Sequence, residues 1–256
     1  MFVEALAIYD CSAENNKSEF YLFETKLNAE AFLQFYKLKT VVKCPFANNA
    51  KISDYMNWDQ TLPFTSNLEK LLHNLKDFIN KCQKSSLDGF VVTAPSSFST
   101  SPRMLGEFLR RILFYLSDHD PYGSCFNEDI NSKQWRYRFN SMNFFISAFS
   151  PCYSSFSSRS THGIDQTIIL FQPKISFKNG LSSVPEIKFS QHKYIRDKFC
   201  RTGKPYPLRD FEWQRFVFPA SNEDKPIEWW RADNSFDFES ITDNTSASKS
   251  MACVLM

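Results

Sequence analysis

Cys253-Val254-Leu255-Met256 is the pattern that a protein prenyltransferase reads. The chemistry uses a thiol that becomes a thiolate at a metal centre, two apolar residues that fill a narrow tunnel, and a free carboxylate that fixes the register; a last methionine selects the farnesyl group. A chance C-terminus on a frayed tail is the alternative. Residues Asp233 to Ala252 are rich in Ser, Thr, Asn, Asp and Ala with few apolar anchors, a composition flexible enough to reach an enzyme's active site.

Two further clusters combine side chains that could act together. In Asp118-His119-Asp120 the flanking carboxylates would raise the basicity of His119 and orient its ring, as a proton shuttle or metal ligand requires. The same trio before Pro121 also fits ordinary turn chemistry, and that reading stands ahead. The segment from Ser150 to Gly163 sets Cys152, Arg159 and His162 among small hydroxyl residues directly after an apolar run. Arg159 and its neighbouring hydroxyls could donate jointly to an anionic group, or Arg159 could tie the loop to a nearby carboxylate. The chain has no phosphate-cradling glycine loop, no Gly-x-Ser-x-Gly elbow and no His-Glu-x-x-His. Its spacing pairs no histidine with a cysteine nucleophile.

The elements that must position these groups follow from hydrophobic periodicity. Phe2 to Tyr9 suits a strand or short helix, and Leu27 to Leu38 a helix; the stretch between Lys43 and Phe64 reads as irregular. Asn67 is placed to cap a helix whose stripe is Leu68, Leu71, Leu72, Leu75, Phe78 and Ile79. Gly89 to Thr93 reads as a buried strand. Met104 to Leu116 reads as a helix with Leu105, Phe108, Leu109, Ile112, Leu113 and Leu116 inward and Arg110 and Arg111 outward. Trp135 to Asn140 and Asn143 to Phe149 form a hairpin turning at Ser141-Met142, and Thr167 to Gln172 is a further strand. Lys188 to Cys200 suits a helix with Tyr194, Ile195 and Phe199 inward, and the ordered chain ends around Trp213 to Trp230. Helices and strands without a regular βαβ rhythm predict an α+β domain, a mixed or antiparallel sheet covered by helices, over residues 1–230, with a flexible acidic tail over 231–256.

With 256 residues and 43% hydrophobic content the chain can bury one sizeable core. Its 30 basic and 28 acidic residues include no long basic run, which argues against nucleic-acid binding. No apolar run is long enough to span a bilayer, and Glu4 does not suit a signal peptide, so the expected compartment is the cytosol. The seven cysteines lack Cys-x-x-Cys pairs and zinc-finger spacing, and read as reduced thiols. Phe at 27 and Gly at only 6 residues fit an AT-rich gene.

The order of several short motifs resembles the bacterial YqcI/YcgG-like family. They are Cys44-Pro45-Phe46, Leu116-Ser117-Asp118-His119-Asp120, Phe144-Phe145-Ile146 running to Ser150-Pro151 with Ser158-Arg159, Leu170-Phe171-Gln172-Pro173, and Trp213-Gln214-Arg215-Phe216-Val217-Phe218-Pro219. The resemblance covers roughly Cys44 to Asn222. Some members of that family are haem-dependent oxygenases that hydroxylate a guanidine or similar nitrogen of small amino acids. It implies haem and a small amino-acid-like substrate, with iron held near the proline that follows the paired strands. Here Ser150 precedes that proline, so His119, Cys152 and His162 are the side chains able to hold iron, and Arg159 is the one suited to a haem propionate.

Together these readings predict a cytosolic domain farnesylated at Cys253 by a eukaryotic prenyltransferase and carried to a membrane, acting as a haem-dependent N-hydroxylase. The bacterial resemblance beside a eukaryotic lipidation signal points to a bacterial effector modified in a host cell. The rival reading is a non-catalytic binding or interaction module localised by its lipid.

Overall fold

The computed structural model describes residues 32–42, 44, 47–85, 87–176, 189–204, 206 and 209–241. Their strands are β1 (Ile52–Asn57), β2 (Gly89–Pro95), β3 (Tyr137–Phe139), β4 (Met142–Phe149) and β5 (Gln166–Pro173), in the sheet order β1-β2-β5-β4-β3. β2 and β5 take the centre because their apolar runs can be buried on both faces. β1 pairs parallel to β2 and the other pairings are antiparallel, so the sheet is mixed. The predicted α+β class therefore holds, in its mixed form.

β1 lies in the stretch read as irregular. Its sequence, Ile-Ser-Asp-Tyr-Met-Asn, carries little alternation, and a parallel ladder with β2, which periodicity cannot register, defines it. The helix α2 (Phe64–Ser85) joins β1 to β2 and completes one βαβ unit. It starts three residues before the expected cap. Asn67 instead lies inside it, fully buried, donating to the carbonyls of Asp59, Leu62 and Pro63 and accepting from the Asp59 N–H. Leu71, Leu75 and Phe78 are buried, whereas Leu72 is only half-buried at the margin of the stripe.

The sheet is covered on both faces. Phe90, Val92, Ala94, Ile146, Ile169 and Phe171 face α2 and α3 (Pro102–Asp118) in the larger core. Val91, Phe149, Ile168 and Leu170 point the other way, where Phe35 and Leu38 of α1 (residues 32–41) cover them. β3 and β4 turn through Asn140 and Ser141, both at positive φ (49° and 62°), which supplies without glycine the backbone that a two-residue hairpin needs. In α4 (Phe189–Arg201), Phe199 is buried as expected, but Tyr194 is exposed. The strand or short helix expected at residues 2–9 lies outside the described residues.

The domain does not stop at residue 230. Phe238 is fully buried, its ring 5.4 to 5.7 Å from those of Phe64, Phe98 and Phe108. What fixes this segment is Glu107, buried on α3. Its carboxylate accepts from Arg110 Nε (2.7 Å) and Nη2 (2.8 Å), from Arg111 Nε (3.1 Å) and from the backbone N–H of Asp233 (3.1 Å). Arg111 also donates to the Phe236 carbonyl and lies over the Phe238 ring. Glu239 in turn accepts the Phe64 N–H at the start of α2, where a negative charge suits the helix dipole. The tail boundary expected at residue 231 is thus corrected: residues 233–241 belong to the core's cover. The two arginines read as outward folded back onto a carboxylate that the apolar stripe hides.

Burial alone would raise the Glu107 carboxyl, but the bonds from Arg110, the Asp233 amide and Arg111 outweigh it and hold the group below the usual carboxylate value. A depressed acid stabilises the fold above its unfolded-state value, about 4.3, and that contribution disappears as pH falls through the lower folded value. Acid titration followed by tryptophan fluorescence should show a loss of stability below about pH 4.3 that is flattened in Glu107→Gln. Identical acid profiles for the two proteins would show that the clamp is not charged.

Candidate functional site

The loop after β4 is pinned by hydroxyl groups. Ser99, Ser150 and Thr167 are buried together: the Ser99 and Ser150 hydroxyls share a hydrogen bond of 2.7 Å, Ser99 also meets the Thr167 hydroxyl, and Ser150 donates to the Ser99 carbonyl (3.0 Å). Small hydroxyls suit this place because they satisfy one another where water is excluded. Ser150 then accepts the Cys152 N–H, and its own N–H donates to the Arg159 carbonyl, which closes the loop. Tyr153 is buried below; its hydroxyl donates to the Phe218 carbonyl (2.7 Å) and accepts the Phe218 N–H (3.1 Å). Burial keeps that phenol protonated far above its ordinary range.

The loop ends in a tight turn, Thr161 to Ile164, with His162 and Gly163 both at positive φ (54° and 88°) and the Ile164 N–H bonded to the Thr161 carbonyl. This is the signature of a type I′ turn, which glycine adopts freely and histidine does not. The turn forms one wall of an open cleft of about 570 Å³ lined by Pro151, Tyr153, Ser155, Ser160, His162 and Asp165, among others. On the other side of His162 a smaller hollow of about 290 Å³ opens towards Gln34, Lys37 and Val41 of α1.

Lys204 is brought to this turn by the end of α4. Gly203 at φ 70° donates to the Cys200 carbonyl and Lys204 to that of Phe199, a Schellman ending that only a residue at ease with positive φ permits. The Lys204 Nζ then stands 3.2 and 3.1 Å from the two ring nitrogens of His162. An ammonium only donates, so the imidazole meets it through a neutral nitrogen. His162 and Asp165 line the cleft, and Lys204 reaches its border through His162.

The four side chains singled out in the sequence do not converge. His119 closes α3, exposed, its Nδ1 2.8 Å from the Tyr115 carbonyl and its ring against that of Tyr115. Asp120 accepts the N–H groups of Tyr122 and Asn140, so the turn reading of the trio is the one observed. Because Asn140 precedes β4 and Ser150 follows it, the His119 corner and the loop sit at opposite ends of an eight-residue strand, roughly 25 Å apart. The expected meeting of loop and helix end does not occur.

Arg159 is buried and points away from the cleft. Its Nη2 donates to the Arg215 carbonyl (2.7 Å), and its guanidinium lies 4.7 Å from the Phe218 ring centre and 5.2 Å from that of Phe149, with Tyr206 beside it. No carboxylate among the described residues pairs with it; the aromatic faces take that place. Neither an ion pair nor an accessible anion site, the two readings of the sequence, describes it. Cys152 is half-buried, and burial pushes its thiol up, so it is a protonated thiol at neutral pH. Of the expected iron donors only His162 lines the cleft, beside Pro151, Tyr153 and Ile164 and the polar Ser155, Ser160, Thr161 and Asp165. Among the described residues no group of three or more His, Cys, Asp and Glu is arranged to hold a metal ion.

Lys204 and Asp165 were not legible as site residues. The Gly203-Lys204 step after a helical stretch does mark a C-cap, but nothing in the spacing joins residue 204 to 162.

The model of the YqcI/YcgG family matches residues 31–224, more than half of the chain. Comparison with curated proteins and with solved structures finds no match.

The Arg159 geometry predicts that Arg159→Lys, which keeps the charge but loses the planar stack, destabilises the fold by about 2 kcal/mol, as expected for a desolvated cation–π contact. Chemical denaturation measures it. A change within about 0.5 kcal/mol, typical of surface sites, would show that the plane of the guanidinium is not used.

Proposed function

The chain belongs to the YqcI/YcgG family, and from that premise we propose that it binds a small amino-acid-like zwitterion in the cleft at the Thr161–Ile164 turn. The observation that carries this reading is the pairing of Lys204 with His162, which lines the cleft together with Asp165. In it, Lys204 receives the ligand carboxylate, Asp165 the ligand ammonium, and His162, whose backbone is fixed by the turn, orients the first and accepts a proton when needed. The rigid hydroxyl network under Ser150 holds the wall in place before the ligand arrives, which lowers the ordering cost of binding.

A titration calorimetry panel of amino acids checks it. Lys204→Ala and Asp165→Asn should each weaken binding about tenfold or more, the loss of one charged hydrogen bond, whereas His119→Ala at the far end of β4 should bind as the wild type does. No binding by any amino acid would remove the reading. Haem chemistry, implied by the resemblance, is separated by the same cleft: a Soret band on haemin addition that His162→Ala abolishes would make this an oxygenase site instead of a binding module.

Where Met256 is the terminal residue, Cys253 is the thiol for a farnesyl group that carries the domain to the cytosolic face of a membrane, in a host cell if the chain is a bacterial effector. One lipid chain gives only marginal, reversible attachment, and Asp233, Asp237, Glu239 and Asp243 oppose an anionic surface. Expressed in a eukaryotic cell, the wild type should divide between membrane and soluble fractions while C253S is soluble only. Equal partition of the two would refute the anchor.

A further inference from the structure

The smaller hollow on the other side of His162 has a wall of its own. Phe35 and Leu38 of α1 are buried in one apolar cluster with Val91, Phe149, Ile168 and Leu170 of the sheet and with Ile164 of the turn, so helix and turn are fastened to the same core. That packing fixes the rotation of the helix. Gln34, Lys37 and Val41, at i, i+3 and i+7, then fall on one side of α1, and they line the hollow of about 290 Å³ together with His162, Gly163, Ile164 and Asp165. The last four residues also line the wider cleft. The turn is thus a wall common to both spaces.

The charges at the hollow are uncommitted. Of the two lysines on α1, Lys39 donates to the Ala50 carbonyl (2.8 Å), whereas the ammonium of Lys37, exposed, forms no hydrogen bond or ion pair among the described residues. The Asp165 carboxylate, also exposed, is equally without a partner among them. His162, already met by Lys204, completes the titratable groups on this wall. An ammonium only donates, and the Gln34 amide adds two donors, so the α1 side of the hollow favours an acceptor with negative charge. A cationic side chain would meet like charge at Lys37 and find Asp165 already engaged by the ligand ammonium. A neutral amide would leave the Lys37 charge unanswered.

Resting on the amino-acid reading of the wider cleft, we propose that Lys37 sets specificity: the ligand reaches past the turn and lays a side-chain carboxylate against Lys37, so the preferred class is an amino acid with an acidic side chain, such as glutamate. Asp165 works on both sides. It takes the ammonium in the cleft and, by repulsion, keeps the second carboxylate towards α1.

Calorimetry on the full chain with L-glutamate and L-glutamine, which have nearly the same shape, isolates the charge of the side chain. Glutamate is expected to bind about fivefold more tightly or better, the contribution of one charge-assisted hydrogen bond, and the gap should narrow as salt is raised. Lys37→Gln should bring glutamate down to glutamine and leave glutamine where it was, and Lys37→Glu should place a cationic amino acid such as L-arginine ahead of glutamate. Because Lys37 is exposed, neither change should shift the melting temperature appreciably, which checks that both variants are folded. Equal binding of glutamate and glutamine by the wild type, or a glutamate preference that survives in Lys37→Gln, overturns the role of Lys37 while the cleft reading stands. Binding of no amino acid at all overturns both.

Discussion

A single buried carboxylate, that of Glu107, organises one side of this domain. Taken out of water, it would be strongly destabilising unless every lone pair were answered, and it is answered by two guanidinium groups of its own helix and one backbone amide from 126 residues further along the chain. The next residue back, Gly106, shows why the distant segment can come so close: a Cβ there would meet Ile227 and Trp229 at 3.1 Å. Glycine thus leaves room for the chain at Ile227 and Trp229, and glutamate binds it a few residues later at Asp233. Under residues 233–241 lie Trp58, Phe64, Phe98 and Phe108, joined by tilted and edge-on ring contacts onto which Phe238 packs.

Much of the scaffold was legible because its signals are local. The stripe of α3 and the apolar runs of β2, β4 and β5 specify their own conformations, and each is found close to where the sequence places it. β1 was not legible, since six half-polar residues become a strand only beside β2. Asn67 has the type of a cap, yet the carbonyls it serves belong to the turn before the helix and attract it inward. Residues 233–241 have the composition of a loose tail. Phe236, Phe238 and Ile241 carry its sparse apolar signal, and the partners of the buried Phe238 come from three separate elements.

The site was legible as a place more than as a set of side chains. The loop after β4 does border the cleft, because hydroxyl residues following an apolar strand are able to satisfy one another at a sheet end. Choosing residues by chemical type failed where type and direction part company. Arg159 has the fork that recognises anions, but Phe149, Tyr206 and Phe218 accept it on their faces, and that aromatic box cannot be seen from spacing. Lys204 looks like any surface lysine until Gly203 turns the chain and aims it at His162. Such long-range pairings are set by packing, on which a linear pattern is silent.

The fastening of residues 233–241 also fixes a length. Only the eleven residues from 242 to 252 separate the secured chain from Cys253, and whatever their conformation they let the cysteine lie no more than about 40 Å away. Wherever that cysteine were gripped, the domain could stand no further away than this reach, and the clamp at Glu107, by securing residues 233–241, sets where the tether begins.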